Sequence, residues 1–274
     1  TGRYKFTYRM QEGYDTTAVR RNGDLNALRV EGGLFGRVEQ GYWRAKVYFY
    51  NSERGYPGAI VRNKFSHEDR QWDTNFFAQG SFKKDFKPWY SLLVNAKYAY
   101  DYLHYLADPN KDESLMYTNN HYYQQEAYLS AANRFTIFPW WEVNLSADWQ
   151  FNLLNADLRD FVYPRRHTLL AAAATAMRFD RVEIQASLLG TLVHDRTKGD
   201  RMSDKRKLTP AVFLSWRPFE RAGINIRAFY KRIFRMPTLN DLYYTFVGNV
   251  DLDPEFTTQY DAGITYSRTF EHTW

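Results

Sequence analysis

The chain has 274 residues, 44% hydrophobic and 25% charged, and nowhere runs to the roughly 18 consecutive apolar residues that a membrane-crossing helix needs, so a helical membrane protein is excluded. Cysteine is absent, which excludes disulfides and thiolate metal sites. The formal net charge of +6 is dispersed among both signs, with no basic tail or stripe, so no nucleic-acid partner is expected.

Strand-like and polar segments alternate from the start. Thr1-Gly2-Arg3-Tyr4 carries no Met, apolar signal core or cleavage site, so the chain reads as a piece of something longer. A strand is predicted over 3–10, a polar loop over 11–24, and strands over 25–35 and 40–50. The polar segment 51–69 precedes strands 70–85 and 89–103, joined at Phe86-Lys87-Pro88-Trp89. The segment 105–121 precedes strands 122–138 and 140–154, joined at Ile137-Phe138-Pro139-Trp140. The segment 155–165 precedes strands 166–179 and 181–196, joined at Phe179-Asp180-Arg181. The segment 197–205 precedes strands 206–217 and 223–234, joined from Arg217 through Pro218 to Gly223, and the segment 236–255 leads to a last strand, 257–270. Pro cannot donate to a ladder, and Gly and Asp accept turn geometry, so these short joints are breaks. Twelve long strands with tight turns on one side and long loops on the other predict an all-β, antiparallel transmembrane barrel.

Side-chain parity supports this. From Trp141 to Asn152 every odd position is apolar and every even one polar or charged, giving one greasy and one wet face. In strand 89–103, Val94, Ala96, Tyr98, Tyr100 and Tyr102 are predicted to face lipid, and Asn95, Lys97 and Asp101 the lumen. In strand 181–196, Val182, Ile184, Ala186, Leu188 and Leu192 face out, and Glu183, Gln185, Ser187 and Thr191 face in. Residues 169–176 are apolar on both parities, and no face can be chosen there. The 22 Tyr, 20 Phe and 8 Trp suit aromatic girdles. An open sheet edge in lipid is costly, so either these strands close a ring alone or strands outside the chain complete it.

Catalytic and metal signals are weak. His67, His104, His121, His167, His194 and His272 are scattered without zinc-ligand spacing. Asp108, Asp112 and Glu113, like Asp251, Asp253 and Glu255, read as solvated loop charge rather than a calcium site. No GxSxG occurs, Gly32-Gly33-Leu34-Phe35-Gly36 lacks dinucleotide spacing and reads as a turn, and no catalytic residue, cofactor or metal is expected. The ligand-binding candidates are loop aromatics: Tyr117, His121, Tyr122 and Tyr123 in one cluster, Tyr243 and Tyr244 with Asn249 in another.

The last fifth is the most specific part. Phe234-Arg235-Met236-Pro237-Thr238-Leu239-Asn240-Asp241-Leu242-Tyr243-Tyr244, then Gly248-Asn249, Leu252-Asp253-Pro254-Glu255 and Tyr260-Asp261-Ala262-Gly263, resembles the barrel of TonB-dependent outer-membrane receptors, and Arg54-Gly55-Tyr56-Pro57-Gly58 resembles their RGxPG element. Asp253 departs from the Lys common at that position. The resemblance implies that residues 1–274 are part of a 22-stranded barrel whose N-terminal plug domain and flanking strands lie elsewhere, with both chain ends on the short-turn side. It implies active import of a large scarce nutrient, cobalamin or a ferric siderophore, across the outer membrane of a Gram-negative bacterium, with the plug, outer-membrane lipid and the TonB complex as partners and room for a surface-exposed lipoprotein. The short RGxPG and DLYY signatures lean toward the cobalamin branch. Arg54, Gly55, Pro57, Gly58, Arg235, Pro237, Asp241, Pro254 and Glu255 take structural roles, with Glu255 and Asp261 set to pair with Arg232 or Arg235. The rival readings are a self-contained twelve-stranded pore or membrane-embedded hydrolase, since Gly263 to Phe270 resembles a barrel-assembly signal, and a soluble Tyr-rich β protein.

Overall fold

The computed structural model describes residues 2–9, 13–58, 67–108, 117–199, 202–219, 223–244 and 248–267. The elements are β1 (Tyr4–Arg9), β2 (Asp15–Arg20), β3 (Leu25–Val38), β4 (Gly41–Tyr56), β5 (Asp69–Lys87), β6 (Tyr90–Ala107), β7 (Thr118–Phe138), β8 (Trp141–Ala156), β9 (Arg165–Arg178), β10 (Val182–Arg196), β11 (Met202–Trp216), β12 (Ile224–Arg235), α1 (Leu239–Tyr243) and β13 (Glu255–Tyr266). Strands β3 to β13 form one eleven-stranded antiparallel sheet in which sequence neighbours are spatial neighbours. The expected fold class holds, with eleven long strands where twelve are predicted.

The twelfth is the predicted strand 3–10. Its described part, β1, pairs only with β2 in a separate hairpin with six-residue arms. Strand β2 falls inside the segment predicted as loop, because Asp15-Thr16-Thr17-Ala18-Val19-Arg20 is polar enough to hide its β-branched residues. The Gly23 N–H donates to Gly2 O at 3.1 Å and the Gly55 N–H to Asp24 O at 3.0 Å, which places Gly2 at the long-connection end of the sheet. The Ser267 N–H donates to Gly223 O at 2.9 Å, at the short-turn end. The expectation that both ends share the short-turn side is therefore wrong, for the reason that the main sheet has an odd number of strands.

Ladders fix every face. Asp148 lies opposite Leu170 and Trp149 opposite Leu169, so Leu169, Ala171 and Ala173 join the apolar face while Leu170, Ala172 and Ala174 join the polar one. The run that parity alone leaves undecided is settled by its partner strand. Strands β6 and β10 keep the predicted faces: Asn75 opposes Asp101 and Gln79 opposes Lys97 on the polar side, while Phe76 opposes Tyr100 on the other. Lys97 pairs with Glu126 at 3.0 Å, and Lys46 with Glu31 at 2.9 Å, on the polar face.

The short turns carry the aromatic belt. Phe138 and Trp140 stack with centroids 5.4 Å apart, and Trp140 continues to Phe179 on the next turn at 5.3 Å. Register shifts at Asp85/Lys87 and Thr136/Phe138 precede the Pro-Trp turns. At the opposite end the strands are longer than a bilayer crossing requires: β7 has 21 residues against the roughly 9–11 needed to span. Tyr105 and His121, predicted as loop, belong to these extensions.

Gly32, Gly33 and Gly36 form no turn but lie within β3. A Cβ at Gly36 would meet the Trp43 ring at 2.3 Å, so the glycine lets that indole lie across its backbone. Between β11 and β12 the ladder runs only from Ala211↔Lys231 to Trp216↔Ile226, although both strands continue. Pro210 comes next and has no N–H to donate. Among the described residues β3 and β13 have no partner beyond β4 and β12; β13 is exposed along its whole length.

Because Ala173 faces out and Ala174 in, Ala173→Arg should destabilise the protein in lipid bilayers by about 2–4 kcal/mol, whereas Ala174→Arg should not. The urea midpoint of each variant in lipid vesicles checks this; equal midpoints would contradict the assigned register.

Candidate functional site

The β12–β13 connection builds the site. Pro237 ends strand pairing, and Thr238 then caps a one-turn helix. The Asp241 N–H donates to Thr238 Oγ1 at 3.2 Å and the Thr238 N–H to Asp241 Oδ2 at 2.8 Å, a reciprocal capping box. These bonds hold the Asp241 carboxyl below the ordinary carboxylate range, the backbone bond contributing most. Leu239 and Leu242, three residues apart, point to the same side and are buried. Leu239 joins Tyr122, Leu154, Ala156 and Phe161 in the main apolar cluster, with Tyr243 and Tyr244 packed against it.

This packing bends the connection inward. Tyr122 on β7 and Tyr244 stack with centroids 4.3 Å apart and planes 12° from parallel. Tyr244 is pushed up to about 12 by burial, so its phenol stays neutral. Arg166 on β9 binds Asp195 on β10 through two 2.6 Å bonds and donates from Nη1 to Pro237 O at 2.5 Å. A connection that starts at β12 and touches β9 and β7 must cross the polar face, which is therefore the concave one.

Between connection and sheet lies a cavity of about 560 Å³. Its wall combines Asp73, Asn75, Asp101 and Gln124 from the strands with the Tyr122–Tyr244 stack, and Asn240 and Asp241 face it from α1. Asp73 is fixed by Arg54 at 2.8 Å and Gln71 at 2.7 Å, and Asn75 donates to Asp101 at 2.6 Å. The arrangement offers hydrogen-bond acceptors and flat apolar rings together, suited to holding a large polar molecule. Among the described residues no group of three His, Asp or Glu is placed to hold a metal ion.

The aromatic clusters read from the sequence are redistributed. Tyr122 and Tyr244 come together at the cavity. His121 and Tyr123 flank Tyr122 on a strand and so face outward, His121 stacking on His104 at 3.9 Å and Tyr123 lying 5.0 Å from Tyr102. Tyr117 is exposed ahead of β7. Tyr243 lines a second cavity, of about 480 Å³, together with Pro237 and Pro254. Asn249 stays in the connection, its N–H donating to Asp241 O at 2.9 Å and its side chain accepting from the Asp251 N–H at 2.9 Å. Asp112, Glu113, Phe270 and His272 lie outside the described residues.

The structural residues are tied to this mouth. Arg235 and Glu255 are in register and 3.5 Å apart at the base of the connection, while Asp261 lies opposite Phe229. Arg54 holds Asp73 in the cavity wall. Pro57 O accepts from the His67 N–H at 3.0 Å, and Gly58, at φ +65°, accepts from Arg20; a Cβ there would meet the His67 ring at 2.2 Å. Sequence reasoning misses Asn22, which is buried and donates to His67 O at 2.7 Å and Asp69 O at 2.8 Å. It also misses Arg70, which reaches Asp24 at 2.9 Å and Glu53 at 2.7 Å, and the Arg166–Asp195 pair. The Thr238-x-x-Asp241 spacing is the one local signal for the inward helix.

A family model described as TonB dependent receptor-like, beta-barrel, matches residues 2–273. No curated relative matches the sequence. Among solved structures the chain is similar to the copper transporter OprC, with a TM-score of 0.71 and 13% identity over 96% of this chain and 45% of that one. It is similar to the apoprotein form of the FrpB iron transporter of Neisseria meningitidis, at TM-score 0.70 and 11% identity over 95% and 44%. It is also similar to the unliganded ferric citrate transporter FecA, at TM-score 0.65 and 12% identity over 96% and 45%. The chain thus spans less than half the length of each.

Arg166→Ala should leave the partly buried Asp195 carboxylate and the Pro237 carbonyl without their partner, costing up to about 3 kcal/mol and loosening the β12–β13 connection toward proteases; urea titration and cleavage mapping check both. The Asp241 cap has a depressed folded-state pKa, so its contribution is present above the ordinary carboxylate value and lost as pH falls through the lower one. Hydrogen exchange in α1, corrected for intrinsic rates, should be steady from neutral pH to about 4 and rise below that, a step that Asp241→Asn abolishes.

Proposed function

The chain belongs to the TonB-dependent receptor β-barrel family, and from that membership we propose that it forms part of a larger outer-membrane barrel importing a large, scarce, metal-bearing nutrient, cobalamin or a ferric siderophore. The observation that carries this reading is the cavity at the long-connection end of the concave face, where fixed carboxylates and amides meet the Tyr122–Tyr244 stack. That the similar solved structures are a copper, an iron and a ferric citrate transporter supports a metal-bearing cargo. The cobalamin lean rests on the short RGxPG and DLYY signatures.

Among the described residues the outer edges of β3 and β13 are unpaired, which supports a ring completed by further strands rather than a self-contained pore, because in lipid each unpaired backbone group costs several kcal/mol. In this reading residues 1–274 are a partial barrel domain spanning the outer membrane of a Gram-negative bacterium many times, and a plug domain docks on inward charges such as Lys97 and Glu126. The TonB complex then acts through the plug, and a surface-exposed lipoprotein is a further candidate partner at the rim. The protein is a transporter with no reaction to catalyse.

Uptake of radiolabelled cyanocobalamin and of a ferric siderophore by cells carrying the intact receptor tests the proposal. One of the two should accumulate, and accumulation should cease when TonB is deleted; uptake indifferent to TonB would indicate a passive pore. Tyr122→Ala and Tyr244→Ala, which remove the two stacked rings of the cavity wall, should each weaken cargo affinity about two- to tenfold. Unchanged affinity in both would remove them from the site.

A further inference from the structure

On the opposite, convex face a groove of about 260 Å³ crosses β8 to β11 near their long-connection ends. Its floor is apolar: Trp149, Leu169 and Leu192, each 39–45% exposed. Its rim is polar. His167 and His194 lie opposite each other in the β9–β10 ladder, and Arg206 lies opposite Leu192 in the next. The imidazole of His167 leans on Trp149, with centroids 6.0 Å apart. The carboxylate of Asp204 is taken up by His194, whose Nδ1–H donates to it at 2.6 Å. Arg206 makes no ion pair or side-chain hydrogen bond among the described residues.

Height matters as much as composition. The outward row of β10, Val182 to Leu192, is uncharged. Its ten steps span about 33 Å along the strand, or about 25 Å once tilted, the height of a barrel's apolar band. The groove therefore straddles the level where hydrocarbon gives way to headgroups. A free cation and two imidazoles sit just above a floor open to acyl chains.

We propose that this groove binds a membrane lipid with a phosphorylated headgroup, its acyl chain on Trp149, Leu169 and Leu192 and its phosphate on the Arg206 guanidinium beside His167 and His194. A guanidinium fork matches phosphate oxygens, and the apolar floor is of use only to a ligand that also carries hydrocarbon. The inference rests on the outer-membrane reading above.

Native mass spectrometry of the intact receptor in non-ionic detergent tests it, with bisphosphorylated lipid A as the probe. The phosphorylated lipid should be retained about tenfold better than its dephosphorylated form, and Arg206→Gln should lose about that factor. Lys231→Gln, which removes an equal charge from the concave face, should not. Millimolar inorganic phosphate should fail to displace the lipid. Equal retention by Arg206→Gln and the parent, equal retention of the two lipids, or displacement by phosphate would each overturn the site. A compact band on an unheated SDS gel reports folding; if Arg206→Gln lacks it, Arg206→Lys, which keeps the charge without the fork, carries the test and should bind several-fold more weakly. Insertion into lipid vesicles separates the two readings. A receptor that inserts but shows no phosphate preference sinks the groove alone, and one that stays dispersed in buffer sinks the membrane reading with it.

Discussion

Register between strands is the constraint on which everything else depends. Side chains alternate along a strand, so slipping one ladder by one residue exchanges its two faces entirely. In β8 such a slip would send Glu142, Asp148 and the polar row between them to the face now held by Trp141, Leu145 and Trp149. Each lysine or arginine so moved to a lipid-facing midplane would cost about 2–4 kcal/mol, so every ladder from β3 to β13 is held by its neighbours to the same division. The concave face inherits the charges, and the mouth inherits Asp73, Asn75 and Asp101 as a connected group.

Where one face is wet and the other greasy, the amino-acid order shows the strands plainly. Trp141 to Asn152 is the clearest case, and the Pro-Trp turns with their aromatic stacks follow from local chemistry. Leu169 to Ala176 is illegible because both of its faces are apolar; only its pairing with Trp149 and Asp148 assigns them. Strand β2 is illegible for the opposite reason, since Asp15, Thr16, Thr17 and Arg20 look like loop on composition. The glycines of β3 mislead as well, because the ring that needs Gly36 to be small belongs to Trp43 across a turn.

The mouth is less legible because it is assembled from distant parts. Tyr122 and Tyr123 are adjacent in the chain, yet a strand sends them to opposite faces, and the ring that meets Tyr122 belongs to Tyr244. Nothing near Arg166 hints that it grips Pro237, and nothing near Asn22 hints that it clasps the carbonyls of His67 and Asp69. Family resemblance picks out Arg54, Pro237 and Asp241 without saying that all three converge on one opening.

The shortened ladder beyond Pro210 has a mechanical consequence. Ten seams join the eleven strands, and nine are fastened over most of their length, whereas the β11–β12 seam closes over six residue pairs and then parts. A wall stressed from within yields first where its stitching is shortest. That seam adjoins the strand from which the inward connection hangs, so a load on the connection would pull on the part of the wall least able to resist.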